Sequence, residues 1–224
     1  MAQADFSFAD LTLTALGSGA LWCAARSMLC VSDLHLGKSE RMARRGGALL
    51  PPYETLATLD RLQDEIERHA PETVICLGDS FDDMAAVQAL DNTSRTKISA
   101  LMDGRRWVWI EGNHDPAATD LGGENLFELQ IGTAWFRHIA DPNSTTPEVS
   151  GHYHPKASLK LRGRRMTSAC FAMDEHRLIL PAFGTYTGGL HVTDPALRGL
   201  LQPNATVRMT RAPQHAIPID ALSG

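Results

Sequence analysis

The feature that most constrains this chain is a repeated local pattern. Short apolar runs stop abruptly at polar residues able to bind metal. "SMLCVSD" (27–33), "TVICLGD" (73–79) and "RWVWIEGNHD" (106–115) each read as a buried strand leading into a polar loop, since a brief apolar run bounded by polar residues suits a strand covered on both faces. Between the first two, "YETLATLDRLQDEIERHAP" sets Leu56, Leu59, Leu62 and Ile66 at helical spacing and ends at Pro71. Residues 84–102 carry Met84, Val87, Leu90, Ile98 and Leu101, which predicts helical turns interrupted near "DNTS". Further strands are expected over 6–16 and 20–25, around the "GSG" turn, and over 133–139, 147–155, 168–173 and 177–184. Strand–helix alternation followed by a strand-rich half predicts an α/β layered domain with a mixed sheet or two packed sheets. In such folds ligands gather at the carboxyl ends of strands.

The chain has 224 residues, which suits one domain with a substantial core. We expect a single domain over 1–224, with 202–224 as a polar, proline-dotted C-terminal extension or edge. No apolar run approaches a membrane span, and "MAQADFSFADLTL" has neither the basic nor the apolar region of a secretion signal. Cys23, Cys30, Cys76 and Cys170 form no CxxC pair. Three of them sit in apolar runs, which predicts reduced, buried thiols in a cytoplasmic protein. The formal charge of −5 argues against a nucleic-acid coat over the whole surface but leaves room for a local basic face.

Polar clusters recur in order at the predicted strand ends or within the strands: Asp33-Leu-His35, Gly78-Asp79-Ser-Phe-Asp82, Gly112-Asn113-His114-Asp115, His138 and Gly151-His152-Tyr-His154. Each alone could be an ordinary loop or a strand histidine. Their common placement points to one site. Asp, His and Asn offer oxygen and nitrogen donors without a thiolate, which suits Mn²⁺, Fe, Zn²⁺ or Co²⁺ better than a sulfur-rich structural zinc. There are enough donors for two divalent ions if a carboxylate bridges, and paired ions are a common device for displacement at phosphorus.

These motifs together resemble the calcineurin-like metallophosphoesterase superfamily. "DLHLGK" followed by "RRG…LPP", then "LGDSF", "GNHD", "SGHYHP" and "LPAFGTYTGG" are similar to its ligase-associated DNA-damage-response endonuclease subgroup. The resemblance implies a four-layer α/β/β/α sandwich with mixed β-sheets and two divalent metal ions, with Mn²⁺ the leading expectation and Fe, Zn²⁺ or Co²⁺ the alternatives. It places Asp33, His35 and His154 on one ion, and Asn113, His138 and His152 on the other, with Asp79 bridging. It makes His114 the proton donor to the leaving oxygen or a clamp on the phosphoryl group. Asp82 would orient His114, with Asp115 as a competing partner. The subgroup often carries His where this chain has Asp82, so that assignment stays open. In the subgroup's genomic setting an ATP-dependent DNA ligase, an exonuclease and a helicase lie alongside, which implies a repair role.

Outside the metal set, Lys38, Arg41, Arg44 and Arg45 follow the first donor pair directly. Placed there, they could contact phosphates flanking the scissile one, or form a solvated helix face. "KLRGRR" (160–165) is a second basic cluster, compatible with a hairpin turn at Gly163. Trp107 and Trp109 alternate with apolar neighbours and are expected in the core. The leading expectation is a metal-dependent phosphodiesterase acting on DNA, an endonuclease. The alternatives are a small-molecule phosphomonoesterase or nucleotide phosphodiesterase, and a non-catalytic protein-binding scaffold. The filled donor set disfavours the scaffold.

Overall fold

The computed structural model describes residues 5–47, 51–117, 120–161, 163–211 and 215–222. Two mixed sheets stack face to face. The first runs β1 (Asp5–Phe8), β2 (Leu11–Ala15), β3 (Leu21–Cys23), β4 (Met28–Val31), β5 (Thr73–Leu77), β6 (Arg106–Ile110) and β7 (Glu124–Leu126), in that spatial order. The pairs from β1 to β4 are antiparallel, and those from β4 to β7 are parallel. Parallel strands need crossovers, supplied here by α1 (Lys38–Arg44) and α2 (Glu54–His69) after β4, and by α3 (Met84–Ala89) and α4 (Asn92–Met102) after β5.

The second sheet contains β8 (Glu128–Ile131), β9 (Ala134–Arg137), β10 (Glu148–Ser150), β11 (Lys156–Leu161), β12 (Arg164–Met173), β13 (Arg177–Ile179), β14 (Thr206–Met209) and β15 (Ile217–Pro218). Its order is β15-β14-β12-β13-β10-β9-β8, with β11 paired to β12. The C-terminal stretch thus supplies two strands at one edge of this sheet.

Three apolar layers hold the stack. Leu13, Cys30, Ile75 and Val108 of the first sheet meet Phe136, Val149, Phe171 and Leu178 of the second. Leu59, Leu62 and Ile66 of α2, together with Ile98 and Leu101 of α4, cover the other face of the first sheet against Val74, Cys76, Trp107 and Trp109. The outer face of the second sheet is covered by Val192, by Leu197 of α5 (Pro195–Arg198), and by Leu201 and Ile219. The order is helix, sheet, sheet, and a thin helical layer. All four cysteines are buried free thiols.

Several elements differ from the sequence expectation. The run 6–16 is a hairpin, turned at Ala9 in a left-handed conformation (φ 53°). The strands over 27–33, 73–79 and 106–115 stop at Val31, Leu77 and Ile110, before the polar residues. The interruption expected at "DNTS" is present: the helical stretch 84–102 divides at Asp91, whose side chain accepts from the Ser94 amide and caps α4. The run 147–155 keeps only β10 as a strand. "KLRGRR" forms the tip of the β11–β12 hairpin, as the sequence allowed, and Arg162 lies outside the described residues.

Phe136 is fully buried between the sheets. Phe136→Ala is expected to lower unfolding free energy by about 3–5 kcal/mol in denaturant titration. A loss below about 1 kcal/mol would contradict this packing.

Candidate metal centre

The ends of β4, β5, β6, β9 and β10 converge at one edge of the stack. Beyond β4 and β5 the two chains stay zipped together: the Asp33 amide donates to Gly78, the His35 amide to Asp79 and the Leu36 amide to Ser80 (3.2, 2.9 and 2.9 Å). This pairing holds the backbone in an unusual shape. Asp33, His35, Asp79, His152 and His154 all have positive φ, between 45° and 68°. Non-glycine residues adopt that region at a cost, and such strain collects where a site is held in a functional geometry. Gly78, at φ +72°, is also needed for space, because a Cβ there would collide with the His138 ring.

The arrangement brings the predicted donors into two groups. In one, single donor atoms of Asp33, His35 and His154 lie within 4.8 Å of one another; in the other, those of Asp79, His138 and His152 do the same. Asn113 joins the second group, its Oδ1 3.0 Å from His138 Nε2. Asp33 is fully buried, Asp79 nearly so. Burial alone would raise both carboxyls. For Asp33, His154 and His138 outweigh it, with Nε2 of His154 at 3.1 Å. For Asp79, His138 at 3.3 Å and the His114 amide bring the value down to about 2. Ionised carboxylates next to imidazoles whose second nitrogen is anchored elsewhere are suited to divalent cations. His138 is anchored through Nδ1 to the Leu77 carbonyl at 3.0 Å. His35 is anchored through Nδ1 to Asp82 Oδ1 at 2.9 Å, and its buried Nε2 has no protein partner among the described residues. That free buried nitrogen fits a metal ligand.

The orienting groups fall differently from the sequence expectation. Asp82 does contact His114, but through its carbonyl, 2.7 Å from Nδ1. Its carboxylate faces His35 instead, and is also held by Arg41 at 2.8 Å and Lys38 at 3.8 Å. Asp115 does not serve His114 either. Its Oδ2 accepts the amides of Ser80 and Phe81, fastening the loop that carries Asp79. Burial pushes the Asp115 carboxyl up to about 7, against those donors and with the help of the Asp79 charge. His114 thus presents Nε2 toward the centre, 4.0 Å from Asp79 Oδ2. His35, Asp82 and His114 form a third close donor group, but the cations on Asp82 make it a support rather than an ion site.

The basic segment is α1 together with its C-cap Arg45, and most of it is engaged. Arg41 spans Asp82 and Asp83, Arg44 spans Glu40 and Asp83, and Arg45 reaches Asp83 only at 3.8 Å while remaining 62% exposed. The pairs with Asp82 and Asp83 join residues about forty positions apart, so no local spacing announces them.

A family model for calcineurin-like phosphoesterases matches residues 27–171, a span that carries all these donors. The chain belongs to the calcineurin-like phosphoesterase family. Among solved structures, Pseudomonas putida nuclease MPE is similar at 28% identity and TM-score 0.72, over 93% of this chain and 97% of that one. An uncharacterized Streptococcus pneumoniae protein, described as a predicted phosphoesterase, is a remote match, at 16% identity and TM-score 0.32, over 73% and 76% of the two chains. No curated protein matches significantly. Phosphoesterases of this family use divalent metals, and the two donor groups are where this member would hold them. No helix among the described residues is long and apolar enough to cross a membrane.

Asp82→Ala frees the His35 ring and is expected to weaken one Mn²⁺ binding step by about 10–100-fold in calorimetric titration. Unchanged affinities would show that Asp82 has no role in aligning His35.

Proposed function

We propose that this phosphoesterase is a two-metal phosphodiesterase that cuts DNA internally, acting in repair in the cytoplasm. The observation that carries the reading is the pairing of two donor groups, Asp33/His35/His154 and Asp79/His138/His152, across the ends of both sheets. The likeness to a nuclease over nearly the whole chain supports nucleic acid as the substrate. Mn²⁺ is the preferred occupant, with Fe, Zn²⁺ and Co²⁺ as alternatives, and Asp79 would be the carboxylate shared between the two ions. A functional association with an ATP-dependent DNA ligase, an exonuclease and a helicase belongs to the same reading.

Bound ions would polarise the phosphoryl group and make water a nucleophile at neutral pH. The chain's own residues supply the rest. His114 keeps its Nδ1 proton on the Asp82 carbonyl, so Nε2 is the nitrogen that can carry a proton to the leaving oxygen or steady the phosphoryl oxygens. The carboxylate of Asp82 fixes His35. Lys38, Arg41, Arg44 and Arg45, on α1 and at its C-terminal end just after the first donor pair, are the candidate phosphate contacts. Arg45 is the least engaged of the arginines, so it is the one we assign to a flanking phosphate. Arg41 and Arg44, held by carboxylates, would contribute mainly through the local field.

The engaged arginines favour one competing reading, hydrolysis of a small phosphate ester. Activity with Mn²⁺ on a chromogenic monoester, a chromogenic diester, and single- and double-stranded DNA separates the two. The diester and DNA should be cleaved. His114→Ala should lower kcat by about 10²–10⁴-fold with metal retained, and Asp79→Ala should abolish turnover. Strong monoester turnover without diester cleavage would refute the nuclease reading.

A further inference from the structure

A cavity of about 460 Å³ opens beside the donor groups and is not explained by metal binding. Its inner wall is Asn113 and His138, so it is continuous with the Asp79 group. Its outer wall includes Phe127 and Ile139, which are 73% and 42% exposed. Among the described residues, large apolar side chains facing solvent are only Tyr53, Phe127, Ile139 and Tyr186, and two of these border this one cavity. Exposed apolar surface gathered next to a polar site marks a place for a ligand.

Phe127 is firmly placed. It is the single residue linking β7 of the first sheet to β8 of the second. The preceding Leu126 carbonyl accepts the Glu111 amide at 2.9 Å. The charges around the cavity are equally selective. The Arg137 head is committed to Glu128 (2.9 Å), Glu148 (3.6 Å) and Asp141 (3.8 Å). Glu111 and Asp141 add carboxylates to the lining. A phosphate would meet repulsion there. A neutral planar ring with N–H groups on its edge would find an aromatic face, an apolar wall and hydrogen-bond acceptors.

We propose that this cavity takes the base of the nucleotide next to the phosphodiester held at the donor groups, with Phe127 stacking on that base. The proposal rests on the nuclease reading above and adds a specificity-determining residue to it. Stacking on an aromatic side chain tolerates every base, so the subsite would favour an unstacked nucleotide without selecting a sequence.

The test combines a protein change with a substrate change. A short DNA oligonucleotide is compared with versions in which a single abasic residue is moved across the cleavage position, using wild type, Phe127→Ala and Phe127→Trp. For wild type, one abasic position beside the cut should lower kcat/KM by about tenfold, mainly through KM, as expected for loss of a base–aromatic contact. Phe127→Ala should show the same loss on the intact strand and no further loss on the abasic one. Phe127→Trp should behave as wild type. The side chain is exposed, so folding and metal content should be unaffected in all three. Wild-type kinetics for Phe127→Ala, or an undiminished abasic penalty in that variant, would overturn the proposal while leaving the nuclease reading intact. A wild-type chain that cuts no strand would refute both.

Discussion

The structure depends on a carboxylate that cannot reach water. Asp33, at the end of β4, is fully buried. Its Oδ2 accepts the amide of His152 at 3.0 Å, and its Oδ1 lies 3.1 Å from His154 Nε2. Both partners belong to the second sheet's loop, so one side chain of the first sheet joins the two sheets at the site. The backbone adds to this: the Phe183 amide donates to Ser32 and the Gly184 amide to Asp33. A buried charge left without partners is costly, on the order of 3–5 kcal/mol. The sheets therefore cannot separate or slide at this edge without exposing or orphaning that charge. Closing the sandwich and assembling the donor groups are the same event.

A second chain of contacts explains the basic segment after the first donor pair. Arg41 and Lys38 hold the carboxylate of Asp82, and that carboxylate holds His35. Asp83, next in sequence, takes Arg44 and the more distant Arg45, and also caps α3 through the Ala86 amide. The helix that looked like a substrate-facing surface is in large part a brace, coupling α1 and α3 to the orientation of one imidazole. Exposed ion pairs contribute little to stability by themselves. Their effect here is positional, because the group they converge on is buried.

The main strands and the donor residues were legible in the sequence because each obeys a local rule. An apolar run of four to six residues must be covered, and the polar residues that end it must face a loop. That rule located Asp33, Asp79 and Asn113, and the family resemblance supplied the order that joined them to His138, His152 and His154. The parts that were not legible depend on geometry that no local rule carries. β7 and β8 are short and half-exposed, so they lack an apolar run, and Phe127 passed unnoticed between them. The turn at Ala9 has no glycine to mark it. The Asp82 carboxylate goes to His35, 47 positions earlier, and only its carbonyl meets His114, a choice made by tertiary packing that no local spacing encodes. The engagement of Arg41 and Arg44 joins α1 to the loop after β5 across a crossover helix.

In the proposed metal centre each donor group holds one ion and Asp79 serves both. Elemental analysis after dialysis against Mn²⁺ tests it directly, comparing wild type with Asp79→Ala. Wild type should hold about two ions per chain and the variant clearly fewer, with its fold retained by circular dichroism. One ion or none in wild type, or two in Asp79→Ala, would contradict it.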